Sequence, residues 1–365
     1  MPAVFFYVSG HGFGHASRQI EIINALGSAA PHIEIVVRTS APRWLFERTV
    51  RVPFTFREGA CDTGVVQIDS LRLDEAATIA AARDFHRTLR ERAEVETDRL
   101  RRAGAALVVS DAPPLACAAA AACGIPCVVV SNFTWDWIYA AYRDHLTEAP
   151  ELIPAIRAAY QHAAAGWRLP MHGGFDGFPT LRDLPFVARH ARHDPQSVRT
   201  RLGLPARRPL LLSSFGGYGI DGLDPATLDC LDQYDLVLTD RRLALGLRQP
   251  GVHRVSESRL YDSGLRYEDL VGAVDVVVTK PGYGIIAECI ANRTALLYTS
   301  RGRFAEYEVL VSEMPRYLQA AFIDQDALFA GRWRAALERL RSVPPPPEIP
   351  PTNGAEVAAA LILSL

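Results

Sequence analysis

Three times along these 365 residues an aliphatic run ends in a glycine-bearing turn and passes into a helical segment, and this pattern narrows the fold most. Residues 4–8 lead into glycines at 10, 12 and 14, then into a helix with Ile20, Ile22, Ile23 and Leu26 on one side. Further strands are expected at 33–37, 106–110 and 127–131, and in the second half at 210–214, 236–239, 274–279 and 295–299. Strands that alternate with helices imply a parallel sheet covered on both faces, an α/β class. Single cores rarely grow beyond ~250 residues, so the chain is expected to form two such units.

The stretch 68–103, rich in arginine, alanine and glutamate, reads as one or two helices. The stretch 169–209 is broken by prolines and reads as the loop-rich crossing between the units. Near the end, Pro344 to Pro347 with Pro350 and Pro351 form a stiff strap that can carry the last helix, 354–363, back onto the first unit. The expected organisation is a first Rossmann-like unit over 1–190, a second over 191–345, and the strap with its helix over 346–365.

With 49% hydrophobic and 22% charged residues the composition is that of a packed globular chain, and the net charge of −2 offers no general attraction to nucleic acid or anionic membrane. Any small anion must be held by a local arrangement. No run approaches the ~20 apolar residues of a membrane span. Residues 2–8 lack the basic flank and cleavage site of a signal peptide and read as a core strand. Six cysteines without a CxxC pair suit free thiols in a reducing cytoplasm, which is the expected location. Lysine occurs once, at Lys280.

In open α/β sheets, ligands bind beyond the carboxyl ends of the strands. Three turns there have unusual composition. The first, Ser9 to Arg18, places Gly10, Gly12 and Gly14 around His11 and His15. Its glycines allow close backbone approach, and the helix start favours an anion. The spacing is neither the dinucleotide fingerprint nor a P-loop. Histidine titrates near neutrality, which suits a base acting on a hydroxyl. The four-residue spacing of the two histidines would suit zinc only on a continuous helix, which the glycines oppose, so no metal is expected. The second turn, Phe215-Gly216-Gly217, follows residues 210–214 and suits a phosphate. The third, Lys280-Pro281-Gly282-Tyr283-Gly284, opens a helix that carries Glu288. A lysine and a helix N-terminus can hold a diphosphate while a carboxylate takes ribose hydroxyls. Arg301 and Glu306, after the next strand, extend this set.

These motifs resemble a known family. The run Tyr7 to Arg18, the segment Val109 to Pro114 with Asp111, the segment Ser131 to Tyr139 with Asn132 and Trp135, and Lys280 to Gly284 closely resemble the N-terminal glycosyltransferase-like region of plant L-arabinokinases, in the same order along nearly the whole chain. More distantly the architecture is similar to MurG-type GT-B enzymes. The resemblance implies a GT-B fold, an acceptor in the first half and a nucleotide sugar, such as a UDP-sugar, in the second. It matches His15 to the loop histidine of that wider group and Glu288 to the residue that holds the donor ribose. The plant enzymes carry a separate sugar-kinase domain, and no glycine/serine-rich kinase phosphate loop occurs here, so arabinose phosphorylation is not expected.

The leading expectation is inverting, metal-independent transfer of a sugar from a nucleoside diphosphate to an unidentified acceptor hydroxyl, with no further cofactor. His15 is the expected base, with His11 or Asp111 assisting. Phe215, Gly216, Gly217, Lys280, Gly282, Tyr283, Gly284, Glu288, Arg301 and Glu306 are expected on the donor. Gly10, Gly12, Gly14, Arg18, Asn132 and Trp135 are expected on the acceptor side or cleft. Two other readings stay open. A nucleotide-sugar 2-epimerase would consume donor without acceptor, and a sugar-nucleotide-binding regulatory or partner protein would bind without turnover.

Overall fold

The computed structural model describes residues 3–216, 220–239 and 249–365. Two wholly parallel sheets form its frame. The first contains β1 (Ala3–Val8), β2 (Glu34–Thr39), β3 (Thr55–Glu58), β4 (Ala105–Ser110), β5 (Cys127–Phe133), β6 (Ala165–Gly173) and β7 (Leu181–Asp183), in the order β3-β2-β1-β4-β5-β6-β7. The second contains β8 (Leu210–Ser214), β9 (Asp235–Leu238), β10 (Val252–Arg254), β11 (Val276–Thr279), β12 (Ala295–Tyr298) and β13 (Ala320–Phe322), in the order β10-β9-β8-β11-β12-β13. This is the two-sheet α/β architecture that the alternating pattern implies. The central strands β1, β5, β8 and β11 are buried along their whole length, which explains their unbroken apolar sequences.

In each sheet the chain runs outward from one strand, then returns to that strand's other side. The reversals lie between β1 and β4 and between β8 and β11. A crevice opens at such a point because the loops on either side depart in opposite directions. Both switch points face the same cleft.

Several local expectations change. Residues 68–74 are not helical: the Asp69 carboxylate accepts from the backbone of Leu71 and Arg72, and the helix begins at Glu75, capped by Asp74. Two helices then follow, Glu75–Arg87 and Leu89–Arg102. Part of the proline-rich crossing is also regular. β6 runs through Pro170, where Met171 takes a positive φ of 57° and the pairing with β5 shifts register. Asp194 caps a helix that starts with proline, Pro195–Arg201.

The chain passes between the units at two places that lie side by side. Phe186 N–H donates to Pro351 O at 3.1 Å, Gly354 N–H donates to Phe186 O at 2.9 Å, and Val187 bridges Asn353. The last helix, Gly354–Ile362, then rests against the first helix, Phe13–Ala29. A third connection is non-covalent. The loop after β3 reaches across the cleft, where Ser70 Oγ donates to Phe215 O and Gly302 N–H donates to Leu71 O at 2.6 Å. The Leu71 side chain is buried among Leu211, Phe215 and Leu236 of the second unit. Burying a leucine there contributes about 1.5–3 kcal/mol.

Among the described residues no helix is long and apolar enough to cross a membrane.

Candidate active site

The loop after β1 holds the first group of side chains. Gly12, with φ of 77°, is the cap of the Phe13–Ala29 helix, and it supplies no side-chain oxygen to the first-turn N–H groups. A conformation with positive φ suits glycine here. His15 and Arg18 lie on one face of that helix, three residues apart, and both turn toward the end of β4. There Asp111 is fully buried. His15 Nδ1 is hydrogen-bonded to one Asp111 oxygen, and Arg18 Nε donates to the other at 2.7 Å. The Arg18 guanidinium also lies 2.9 Å from His15 Nδ1. The carboxylate is the nearer partner, so the ring hydrogen belongs on Nδ1 and the lone pair on Nε2, which faces the cleft.

Burial alone would raise the Asp111 carboxyl, but Arg18 and His15 outweigh it and hold the pKa below the usual carboxylate range. Asp111 is therefore an anion that orients an imidazole. Arg18 continues the network to the Asn132 side-chain oxygen and to Ser131 Oγ, and Asn132 Nδ2 donates to Glu306 Oε1 at 2.7 Å. One chain of hydrogen bonds thus joins the two units.

Opposite His15 stands the helix Tyr283–Asn292. It too starts at a glycine, Gly282, without a side-chain cap. The two helix starts nearly touch: a Cβ at Gly284 would lie 3.3 Å from Gly14 Cα. Two sets of unspent N–H groups and two positive dipole ends therefore converge on one space. Lys280 and Arg301 border the same space. Burial first, then Arg301, lowers the Lys280 pKa to about 7, with Glu306 acting in the other direction. The guanidinium of Arg301 sits 4.3 Å over the Phe304 ring.

The cavity enclosed by these groups measures about 500 Å³. Of the residues singled out in the sequence, His11, Gly12, Gly14, His15, Arg18, Phe215, Gly216, Lys280, Gly282, Tyr283, Gly284, Glu288, Arg301 and Glu306 line it. Gly217 lies outside the described residues. Gly10, Asp111, Asn132 and Trp135 stand behind the wall. Gly10 packs against Ser40, where a Cβ would clash with Oγ at 2.1 Å. Asn132 is spent between Arg18 and Glu306.

Trp135 requires the largest correction. It is fully buried and does not face the cavity, because its Nε1 donates to the Asp62 carboxylate at 2.8 Å and its ring stacks on Tyr139 at 5.3 Å. Trp135→Ala is therefore expected to lower stability by about 3–5 kcal/mol, the range for emptying a large buried ring site. A chemical denaturation curve checks this, and unchanged stability with a raised acceptor KM would return the ring to the cleft.

Glu288 also differs from expectation in its surroundings. Arg189 donates to Glu288 Oε1 at 2.6 Å, and Glu268 lies 3.4 Å from the same guanidinium. Burial raises the Glu288 carboxyl to about 7, with Arg189 pulling the other way. A ribose taken by Glu288 would use its second oxygen or displace Arg189.

Sequence reading missed Arg189, Gln67 and Asp62. Arg189 and Gln67 line the cavity, while Asp62 sits behind His15, held by Ser9 Oγ at 3.1 Å and by Trp135. Burial raises the Asp62 carboxyl to about 6. Among the described residues no group of three or more histidine, cysteine or acidic side chains is placed to hold a metal.

No protein-family model matches the chain. An L-arabinokinase from Arabidopsis thaliana is 29% identical over 377 residues, covering 98% of this chain and 34% of that protein. The chain thus spans about a third of the length of the curated relative it matches. Among solved structures, the glycosyltransferase of kitacinnamycin matches with a TM-score of 0.62 at 17% identity, covering 100% of this chain and 99% of that one. The glycosyltransferase VinC, solved in complex with dTDP, matches with a TM-score of 0.53 at 16% identity, covering 99% and 94%. At such identities the structures carry the fold. The chain has the GT-B fold of glycosyltransferases, and its sequence resembles about one third of an L-arabinokinase along nearly its whole length.

Proposed function

We propose that the protein transfers a sugar, with inversion and without need of a metal ion, from a nucleoside diphosphate to an acceptor hydroxyl. The observation that carries this reading is the His15–Asp111 pair set across one cavity from Lys280 and two uncapped helix starts. His15 Nε2 takes the acceptor proton as the hydroxyl oxygen attacks the anomeric carbon. The bond to the diphosphate breaks, and the departing charge meets Lys280, Arg301 and the converging N–H groups. These dipoles are fixed before the reaction, so they stabilise the leaving group without reorganising. Glu288 and Arg189 border the part of the cavity that would receive the ribose. The match to a dTDP-bound glycosyltransferase supports a nucleotide at this place.

A thermal-shift screen against common nucleoside diphosphate sugars, with and without EDTA, tests the reading. A ligand at a hundredfold excess over its Kd stabilises the native state by about 2.7 kcal/mol. A shift with one nucleotide family, unaffected by EDTA, is expected, together with product in an acceptor screen. Binding without product under any acceptor would favour the regulatory reading, and donor conversion without acceptor the epimerase. Lys280→Ala should lower kcat by about 10²–10³, the cost of losing one pre-placed donor to a developing anion. Unchanged turnover would remove the lysine from the mechanism.

The same lysine predicts a pH signature. With a pKa of about 7 it is half neutral in the empty site at pH 7, and an anion beside it favours the ammonium. A nucleoside diphosphate sugar has no proton of its own to gain here, so its binding will take up a proton at Lys280 above pH 7. Affinity will weaken by up to about tenfold for each pH unit above that point. Calorimetry in buffers of different ionisation enthalpy will show the uptake, and Lys280→Met will abolish it.

A further inference from the structure

Asp62, in the loop after β3, is a buried carboxylate that the proposed transfer does not use. It stands where the loops after β1, β3 and β5 meet. Its Oδ1 accepts a hydrogen bond from Ser9 Oγ at 3.1 Å, and its Oδ2 accepts one from Trp135 Nε1 at 2.8 Å. Both donors are neutral and fully buried. Burial raises the Asp62 carboxyl to about 6, with Ser9, His15 and Trp135 pulling the other way, so at neutral pH it is an anion that accepts through both oxygens. The other titratable groups that face it are Cys61 on its own loop, Asp111 at the end of β4, and Tyr139 and Tyr160 around the indole. A buried charge held by two neutral donors weighs against stability. What it does is orient those donors.

Each donor leads to a histidine. Having given its hydrogen to Asp62, the Ser9 hydroxyl turns its lone pairs toward the following turn and accepts the backbone N–H of His11 at 3.2 Å. The loop that carries Asp62 also grips the His11 ring, since Val65 N–H donates to Nδ1 at 3.3 Å and a Cβ at Gly64 would lie 2.7 Å from the imidazole. Trp135 lies edge-on to His11 with ring centroids 5.7 Å apart, and within 23° of parallel to His15 at 6.2 Å. It also stacks on Tyr139 at 5.3 Å. An indole held at Nε1 cannot rock between these rings, so its tilt sets how both imidazoles meet the cavity they line.

Resting on the transfer reading above, we infer that Asp62 is a positioning residue for that reaction: Oδ1 aligns the backbone at His11 through Ser9, and Oδ2 aligns the indole on which His11 and His15 pack. It touches neither sugar nor nucleotide. Asparagine in its place has one acceptor oxygen, which the indole N–H takes because that group can only donate. The amide N–H then faces Ser9 Oγ, reverses that bond and competes with the His11 N–H for the same oxygen.

The test uses the purified protein with UDP-glucose, dTDP-glucose and GDP-mannose as donors, and water, D-glucose and 4-nitrophenol as acceptors. Asp62→Asn should lower kcat by about 10–100-fold, the scale of a misplacement near one ångström, with donor Kd by calorimetry unchanged. The urea midpoint should stay level or rise, because the variant removes a buried charge and keeps the shape. A midpoint that falls together with kcat would make Asp62 a structural residue and overturn the inference, as would an unchanged kcat. Ser9→Ala cuts the first arm and leaves the carboxylate, and it should lower kcat at least about threefold. Full turnover there would overturn the arm to His11. In the His15→Ala background, Asp62→Asn should cost less than about threefold, since a residue that acts through another has little left to act on. A loss there as large as in the parent would show that Asp62 acts by another route. A parent protein that binds none of the donors, or turns none of them over, removes the transfer reading and this inference with it.

Discussion

His15→Ala will lower sugar transfer by about 10²–10⁴-fold while donor affinity stays as it was. The size follows from what the imidazole is asked to do. A hydroxyl is a poor nucleophile until its proton has somewhere to go, and in the proposed transfer that place is the His15 imidazole, which borders the cavity and is oriented from behind by its hydrogen bond to Asp111. Affinity is spared because the anion-binding groups, Lys280, Arg301 and the helix start at Gly282, belong to the second unit. Paired measurements of kcat and of donor Kd by calorimetry separate the two effects. Full turnover in this variant would move the base elsewhere, and His11 is the next candidate on the same wall.

Asp111→Ala will unfold the first unit much more readily, by about 3–5 kcal/mol, because it strands Arg18 without a counter-ion in the interior. Arg18 is itself buried, and its bonds to Asn132 and Ser131 carry no negative charge to offset its own. The loss is read from the urea midpoint. Asp111's folded pKa is depressed, so its share of stability is full above its unfolded value near pH 4 and falls away as pH drops through the lower folded value. Asp111→Asn distinguishes stability from catalysis. The amide keeps an oxygen for Arg18 but points N–H groups at His15 Nδ1, so it should retain more stability than alanine while turnover still collapses. A variant as stable as the parent would show that Arg18 finds another anion.

The parts of this molecule that short stretches of sequence control were legible in it. The strands β1, β5, β8 and β11 are aliphatic because both faces are covered, and the glycines at 12 and 282 mark where those sheets hand over to helices. His15 and Lys280 stood out because their turns did. The peripheral strands β3, β7, β10 and β13 run only three or four residues, too short for a period-two pattern to emerge. Asp62 and Arg189 were unreadable for another reason: each takes its meaning from a partner far along the chain, Trp135 in one case and Glu288 in the other. Trp135 shows the same limit from the opposite side. Its neighbours placed it near the site, but a carboxylate 73 positions earlier decides which way the ring points.

The two covalent crossings and the Leu71 contact also set the mechanics of the pair. The crossings, paired through Phe186, Val187 and Asn353, pack on the face of the second sheet that carries Leu210, Leu212 and Val277. Leu71 packs on the opposite face, with Leu211 and Val278. Opening about the two adjacent crossings must therefore release Leu71 together with the Ser70 and Gly302 hydrogen bonds and the Asn132–Glu306 bond, so the free edge is held by several small contacts that break in concert. A ligand that touches both units would add its own contacts to that edge and weigh against opening. A bulkier or polar side chain at position 71 is expected to loosen this edge and, through Phe215, to disturb the cavity wall that Leu71 supports.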